Sequence, residues 1–464
     1  MAKQIRHLAA LAAALVLAGC SMTPDYQRPA LSVPEAWPDD VRTAAAPGKP
    51  VDWAGFFPDE RLRALIKLAL EHTRDLRIAT ARVAEARAAY GIQRADRLPT
   101  VNAGGSLARS RTPADLSATG ASILSQRADI QASLPAFELD FWGRVASLSE
   151  SAKASYLATE QAERSFRLSL IASVADAYLA LAEAQERHAL AQATLETRVQ
   201  TRELVDRRRP ARLARERDFQ QAHAANEGAP AQLAARQRPQ SAARNYLRAL
   251  VGTEPRDLPA GRTLAEQGIT LAQQADLPAQ VLVRRPDVLA AEQRLLAANA
   301  NIGAARAAFF PRIALTASAG TASRELDGLF KDGSEAWSFS PSITLPIFDY
   351  GRRSANLELA EVRKDIAVAD YERTVQQAFR EVADLLVARE QLAEQLQAVQ
   401  AQVQAQQRAS DIAQARYRQG VGSFLEVLDA QRQLFAAQQA LIQLRRTQWA
   451  TAAQLYRALG GEEG

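Results

Sequence analysis

The chain has 464 residues, 47% of them hydrophobic, 23% charged and only 6% aromatic, with a formal net charge of +5. Ala, Leu, Gln, Arg and Glu dominate, the usage of long helices rather than of a large mixed core. So small a charge over this length excludes a polyanionic partner such as nucleic acid, and a single cysteine excludes an internal disulfide.

Residues 1–19 read as a signal peptide. Lys3 and Arg6 form a basic start, and Leu8 to Leu17 is an apolar run. Ten helical residues rise only about 15 Å, half a bilayer core, so this is an export signal rather than a membrane span. It ends in Leu17-Ala18-Gly19-Cys20, which resembles the bacterial lipobox. The Cys20 thiol is then the group that carries a diacylglyceryl chain, with a further acyl chain at the new N-terminus. Ser21, in place of an aspartate, points to outer-membrane sorting. A lipidated N-terminal segment follows over residues 20–60. Beyond residue 20 no apolar run approaches eighteen residues, so any membrane crossing must be made by strands.

The rest of the chain is a duplicated unit, residues 61–252 and 277–464, joined by a connecting segment at 253–276. Asp75 and Pro99 in the first copy match Asp287 and Pro311 in the second at an offset of 212; Arg144 matches Arg352 at 208, and Gly252 matches Gly461 at 209. Four landmarks in one order define a repeat. Each copy predicts helix, two strands, long helix, turn and helix. In the first copy Ile130, Ala132 and Leu134 alternate with Asp129, Gln131 and Ser133; in the second Trp337, Phe339, Ile343, Leu345 and Ile347 alternate with Ser338, Ser340, Ser342 and Thr344. Runs of about ten such residues fit a tilted membrane strand, although period two alone equally suits a soluble half-buried hairpin. Pro341 weakens the strand locally. The loops near 111–126 and 324–335 join the strand pairs at an outer surface.

The long helices favour the membrane reading. From Arg352 to Arg418 there is no proline, and Leu385, Leu392 and Val399 recur every seven residues with Leu396 and Val403 between them. That is a coiled-coil pattern on a helix about 100 Å long. Four strands cannot close a membrane barrel, so copies must associate. Two copies supply eight strands, whose interior side chains fill; three supply twelve and leave a bore.

At the end of the long helix Gly420 and Gly422 permit a tight reversal, and Ser423 with Glu426 forms an S-x-x-E capping box for the return helix. Asp429 lies one turn on, on the same face. Three copies place these carboxylates around an axis, a ring that favours cations. For Glu426 the cap accounts for the acid as well as a pore role does. At Asp429 the helix-dipole effect has faded, which favours the pore role.

With these features the chain resembles the TolC-like outer-membrane efflux proteins, in their lipoprotein (NodT-type) branch. The resemblance rests on Trp53 with Phe57, "RRPDVLAAEQRL" from Arg284, "ARAAFFP" to Pro311, "LPIFDYGR" to Arg352 and "RYRQGVGSFLEVLDAQ" from Arg416. It implies a mixed, mostly α fold: a homotrimer with a 12-stranded outer-membrane β-barrel and a long periplasmic α-helical barrel. It also implies docking to a periplasmic adaptor protein and an inner-membrane pump, with Glu426 and Asp429 constricting the periplasmic gate and Tyr417 helping to hold it shut. The first tip departs from this pattern. Arg212 stands where Gly420 would be expected, and Arg215 where Ser423 would; only Asp218 matches, at Glu426. Asn226, Gly228, Pro230 and Pro239 predict an interrupted or kinked return helix. The basic run Arg207 to Arg209 reads as a solvated face.

The implied function is passive exit of small molecules through an outer-membrane duct. A type I secretion duct shares the fold, and a non-conducting envelope brace would share the lipobox and helices but not the strands. An enzyme is not expected: four histidines are present without metal spacing, and no P-loop, dinucleotide fingerprint or nucleophile elbow occurs. No cofactor is expected beyond the lipid on Cys20.

Overall fold

The structure, a computed structural model, describes residues 21–30, 33–34, 37, 52–211, 214–269 and 279–461. The expected signal peptide and Cys20 lie outside the described residues. The elements are α1 (Trp53–Phe56), α2 (Glu60–His72), α3 (Arg74–Ala95), β1 (Asn102–Thr112), β2 (Ile123–Glu138), α4 (Arg144–Arg208), α5 (Glu216–Val251), α6 (Pro286–Ala307), β3 (Arg312–Ser323), β4 (Glu335–Thr344), α7 (Arg352–Arg418) and α8 (Phe424–Ala458). Two compact units result. One contains Val83–Thr159 and Ala290–Tyr371 with the N-terminal residues to Ala30; the other contains Leu31–Arg82, Glu160–Leu289 and Glu372–Gly464.

The first unit is organised by one antiparallel sheet in the order β1-β2-β3-β4. The central β2–β3 pair joins the two halves of the sequence, with Ile130 opposite Thr321 and Ala132 opposite Ala319. Register separates the two faces. Ala103, Gly105 and Leu107 stand opposite Ala132, Ile130 and Ala128, while Ala319, Ala317 and Ile313 stand opposite Trp337, Phe339 and Ile343. This face is apolar, yet Leu107, Ile130, Trp337, Phe339 and Ile343 are all exposed. The opposite face carries Ser106, Asp129, Gln131, Ser133, Ser318, Ser338, Ser340 and Ser342. There Ser106 Oγ donates to Asp129 at 2.8 Å, and Ser318 and Ser338 bond at 2.7 Å. Pro341 lies in the outermost strand, β4, where a missing donor is tolerated.

The same turn leads from each strand pair into each long helix. Gly143 and Gly351 take φ of +70° and +82°, which a Cβ resists. Asp140 accepts from the N–H groups of Val145 and Ala146 at 3.0 and 2.7 Å, capping α4; Asp349 accepts from Arg353 N–H at 3.3 Å, capping α7. The acid and the glycine lie in "LDFWGR" and "FDYGR", three residues apart in the first and two in the second. The chain just after Cys20 is pinned in this unit as well. Buried Glu292 accepts from the Tyr26 hydroxyl at 3.0 Å and from Arg28 at 2.7 and 2.9 Å, and Asn299 donates to the Pro24 carbonyl at 2.8 Å.

In the second unit the core gathers Phe57, Leu62, Leu65 and Ile66 with Ile171, Val174, Leu247, Val251 and Tyr456. Among the described residues one helix, α4, holds a stretch apolar enough by composition to cross a membrane. Its Leu168, Ile171, Val174 and Leu179 are buried in protein instead, and Asp176 and Glu183 interrupt the apolar run, so α4 is a core helix. On α7, Leu392 is buried and Leu396, Val399 and Val403 are half-buried, as the heptads predict.

The expected break in the first return helix is absent: α5 is continuous over 36 residues with Pro230 and Pro239 inside it. Both rings occupy exposed positions, so the carbonyls they leave unpaired can face water. Tertiary contacts flank the prolines. Arg198 donates to the Ala225 carbonyl at 3.2 Å, Arg236 to Gln439 at 2.9 Å, and Ala222 and Ala229 are buried. Packing overrides the local penalty of about 3 kcal/mol per proline.

A single carboxylate ties this unit together. Fully buried Asp59 caps α2, accepting from Arg61 and Leu62 N–H at 2.9 and 3.4 Å. Its other oxygen accepts from the Tyr178 hydroxyl at 2.7 Å and from Arg262 N–H and Gln267 Nε2 at 3.0 Å each. Burial alone would raise its pKa, but the bonds from Tyr178, Arg262, Gln267 and Leu62 outweigh it and hold the carboxyl below the usual range. Burial, and then the bond to Asp59, pushes the Tyr178 hydroxyl up. Because the folded-state pKa of Asp59 is depressed, its contribution to stability is full above about pH 4 and is lost as pH falls through the depressed value. Asp59→Asn turns an acceptor into a donor facing donors. It is expected to cost about 3 kcal/mol and to flatten the acid limb of the stability–pH curve, measured by denaturant unfolding in detergent.

Candidate functional site

The residues singled out at the second tip fall together at the α7–α8 turn. Gly420, at φ +80°, ends α7 in a Schellman arrangement: Val421 N–H donates to the Arg416 carbonyl and Gly420 N–H to the Tyr417 carbonyl, each at 3.0 Å. At Gly422 a Cβ would stand 2.9 Å from Arg416 Cβ and 3.3 Å from its carbonyl carbon, so the close approach needs glycine. Ser423 then caps α8. Its Oγ accepts from Glu426 N–H at 3.3 Å, while Glu426 accepts from Ser423 N–H at 3.4 Å and its hydroxyl at 3.1 Å. Glu426 therefore serves the cap. Asp429 takes no part in it; among the described residues this exposed carboxylate accepts from Gln433 alone, at 2.7 Å on its own helix.

Tyr417 is buried among Val205, Ala222, Ala413, Phe424, Val427 and Leu428, its ring 5.3 Å from that of Phe424. Its hydroxyl is buried with no hydrogen-bond partner among the described residues. Burial, followed by the nearby Asp218 charge, pushes that hydroxyl up in pKa, and Arg208 partly offsets them. The two helical hairpins meet here through Arg208. Its guanidinium donates to the Tyr417 carbonyl at 2.7 Å and sits 5.0 Å from the centre of the tyrosine ring.

The first tip thus corrects the reading of its basic run as mere solvated charge. Arg207 does stay exposed, bonded among the described residues to Glu203 alone. Arg209 lies 4.3 Å over the Phe219 ring and pairs with Glu216 at 2.9 Å. Arg208 is the residue that sequence reasoning missed; its signal was a cation placed to meet the carbonyl end of a helix. Arg212 lies outside the described residues. The turn from Arg208 to Glu216 is longer than that from Arg418 to Phe424, which relaxes the need for a glycine pair. Asp218 mirrors Glu426 by accepting from Arg215 N–H at 3.4 Å.

Among the described residues no cluster of His, Cys, Asp or Glu could hold a metal ion. What the geometry offers is a sheet with one apolar and one polar face, and a helical tip where Glu426 and Asp429 are exposed, Glu426 lying 3.8 Å from Arg416.

Comparison with known proteins agrees with this geometry. The profile of the outer membrane efflux protein family matches residues 65–253 and 277–461. The solvent efflux pump outer membrane protein SrpC of Pseudomonas putida is 45% identical over 459 residues, covering 97% of each chain. The outer membrane protein OprJ of Pseudomonas aeruginosa is 44% identical over 463 residues, covering 99% of this chain and 97% of its own. Among solved structures, the open state of the Neisseria gonorrhoeae MtrE outer membrane channel superposes with a TM-score of 0.86 at 40% identity, covering 95% of this chain and 98% of the other.

Arg208→Ala removes a charge-assisted hydrogen bond worth about 2 kcal/mol. It is expected to raise amide hydrogen exchange in the 410–430 peptides severalfold while leaving the sheet unchanged, as read by mass spectrometry. Gly422→Val should produce a similar local opening, because Arg416 must shift; unchanged protection in both variants would contradict this account of the tip.

Proposed function

Because the chain belongs to the outer membrane efflux protein family and is an outer-membrane efflux channel, we propose that three copies form the exit duct of a tripartite pump. The observation that carries this reading is the sheet: one exposed apolar face, one hydroxyl-rich face, and edges at β1 and β4 left unpaired within the chain. In lipid an unpaired edge costs several kcal/mol per exposed group, so the edges must be met by neighbouring copies. Three copies supply twelve strands, enough for a bore lined by the serine face.

Small molecules then pass down their gradient, delivered by an inner-membrane pump through a periplasmic adaptor that meets the helical tips. The relatives named for solvent and toluene efflux support small apolar cargo. In this reading Asp429 lines the tip constriction with Glu426 beside it, and Tyr417 with Arg208 holds the hairpins in register. Cys20 carries the lipid. The pinning of residues 23–28 within the unit that holds the sheet supports a lipidated end close to the membrane.

Purified protein in detergent is expected to have the mass of a trimer and to conduct in a planar bilayer; a monomeric or non-conducting protein would overturn the reading. Asp429→Asn should move the reversal potential in a salt gradient away from cation preference without loss of stability. Glu426→Ala should also lower stability, by about 1 kcal/mol through loss of the capping box. Cys20→Ser should abolish the lipid mass increment of the mature chain.

A further inference from the structure

On the exposed apolar face the sheet changes character at one end. Rows of apolar side chains run from Ile313 opposite Ile343, through Ala319 opposite Trp337, to Leu107 opposite Ala128. The next two positions on that face of β1 are Arg109, opposite Gln126, and Arg111, opposite Leu124. Both arginines are exposed, and neither joins an ion pair among the described residues. The cation on the polar face, Arg127, is by contrast paired with Asp129 at 3.6 Å. Arg109 and Arg111 sit at the end of the sheet closed by the 113–122 and 324–334 loops, opposite to the end from which α4 and α7 depart. In an outer-membrane channel whose helices lie in the periplasm, that is the outer-leaflet end.

We propose that Arg109 and Arg111 form a binding site for the phosphorylated head group of an outer-leaflet glycolipid. An arginine pointing into hydrocarbon is disfavoured, and the disfavour fades at the head-group level, where the long side chain can extend its charge toward an anion. Two residues apart on one strand, the guanidiniums arise about 7 Å apart, a spacing that suits two oxygens of one phosphate or two neighbouring phosphates. Exposed Leu107 and Leu124 below and beside them offer apolar surface for the acyl chains. The nearest acid on the same face of the sheet is Glu335, on the opposite edge strand, β4, with two strands between, so a second copy could bring it to β1 instead. An inter-copy ion pair is therefore the competing use of these arginines. The unpaired state of both side chains, and their place at the limit of the apolar band, favour the lipid. This inference rests on the outer-membrane channel reading.

The test uses the full-length trimer, titrated with diphosphoryl lipid A and with its dephosphorylated form, with bound lipid counted by native mass spectrometry. The wild type is expected to retain the diphosphoryl form at least tenfold better. R109Q/R111Q should lose that preference while keeping trimer mass and single-channel conductance, and R109K/R111K should keep part of it. Equal retention of the two lipids by the wild type, or an unchanged preference in R109Q/R111Q, would overturn the proposal and leave the channel reading intact. If R109Q/R111Q dissociates, E335Q decides: matching dissociation assigns the arginines to an ion pair between copies and overturns the lipid site. A stable E335Q trimer with wild-type lipid preference supports it. Loss of conductance in the wild type itself would instead strike at the channel.

Discussion

Backbone hydrogen bonding at the edges of a four-stranded sheet is the constraint from which the architecture follows. Among the described residues β2 and β3 are paired on both sides but one side of β1 and one of β4 stay open, while the sheet carries apolar side chains on one face and hydroxyls on the other. Such a sheet is unstable in water, where its apolar face is uncovered, and unstable in lipid as a single copy, where its edges are unpaired. Association of copies into a closed barrel removes both problems together. The duplicated sequence makes this economical: each half supplies one hairpin and one pair of long helices, and the β2–β3 pairing joins the halves.

The helical parts follow from a second constraint, the need to reverse direction and to begin helices at fixed points. Gly143 and Gly351 turn the chain from strand to helix, with Asp140 and Asp349 capping the start, and Gly420, Gly422 and Ser423 turn it at the tip. Each of these is a local requirement met by one or two residue types. In the second unit Asp59 serves a different purpose. It gathers α2, α4 and the connecting segment on one carboxylate. The tips are joined through Arg208, whose guanidinium donates to the Tyr417 carbonyl.

Features of this local kind were legible in the sequence. The period-two runs, the limits of α7 at Arg352 and Arg418, and the Ser423–Glu426 cap follow from side-chain alternation, the absence of proline and capping chemistry. What was not legible depends on partners far along the chain. Asp59 meets Tyr178 and Gln267 across 119 and 208 residues, and Arg208 meets Tyr417 across 209. The continuity of α5 through Pro230 and Pro239 is of the same kind, because helix propensity charges the full penalty and cannot see the packing that offsets it. Of the tip residues, Gly420, Gly422, Ser423 and Glu426 declare their geometry locally, whereas a role for Asp429 depends on an axis that only other copies supply.

Cross-linking of β1 to β4 tests the closing of the sheet most directly. Within one chain these strands are separated by two others, about 14 Å at the spacing of neighbouring strands. With Cys20 replaced by serine, Ser106→Cys in β1 and Ser338→Cys in β4 would be treated with a bifunctional thiol reagent spanning about 8 Å, too short to join them within that sheet. Closure between copies predicts a ladder of covalent species in denaturing gels that ends at three chains. Cross-links confined to single chains, or a ladder that stops at two, would contradict it.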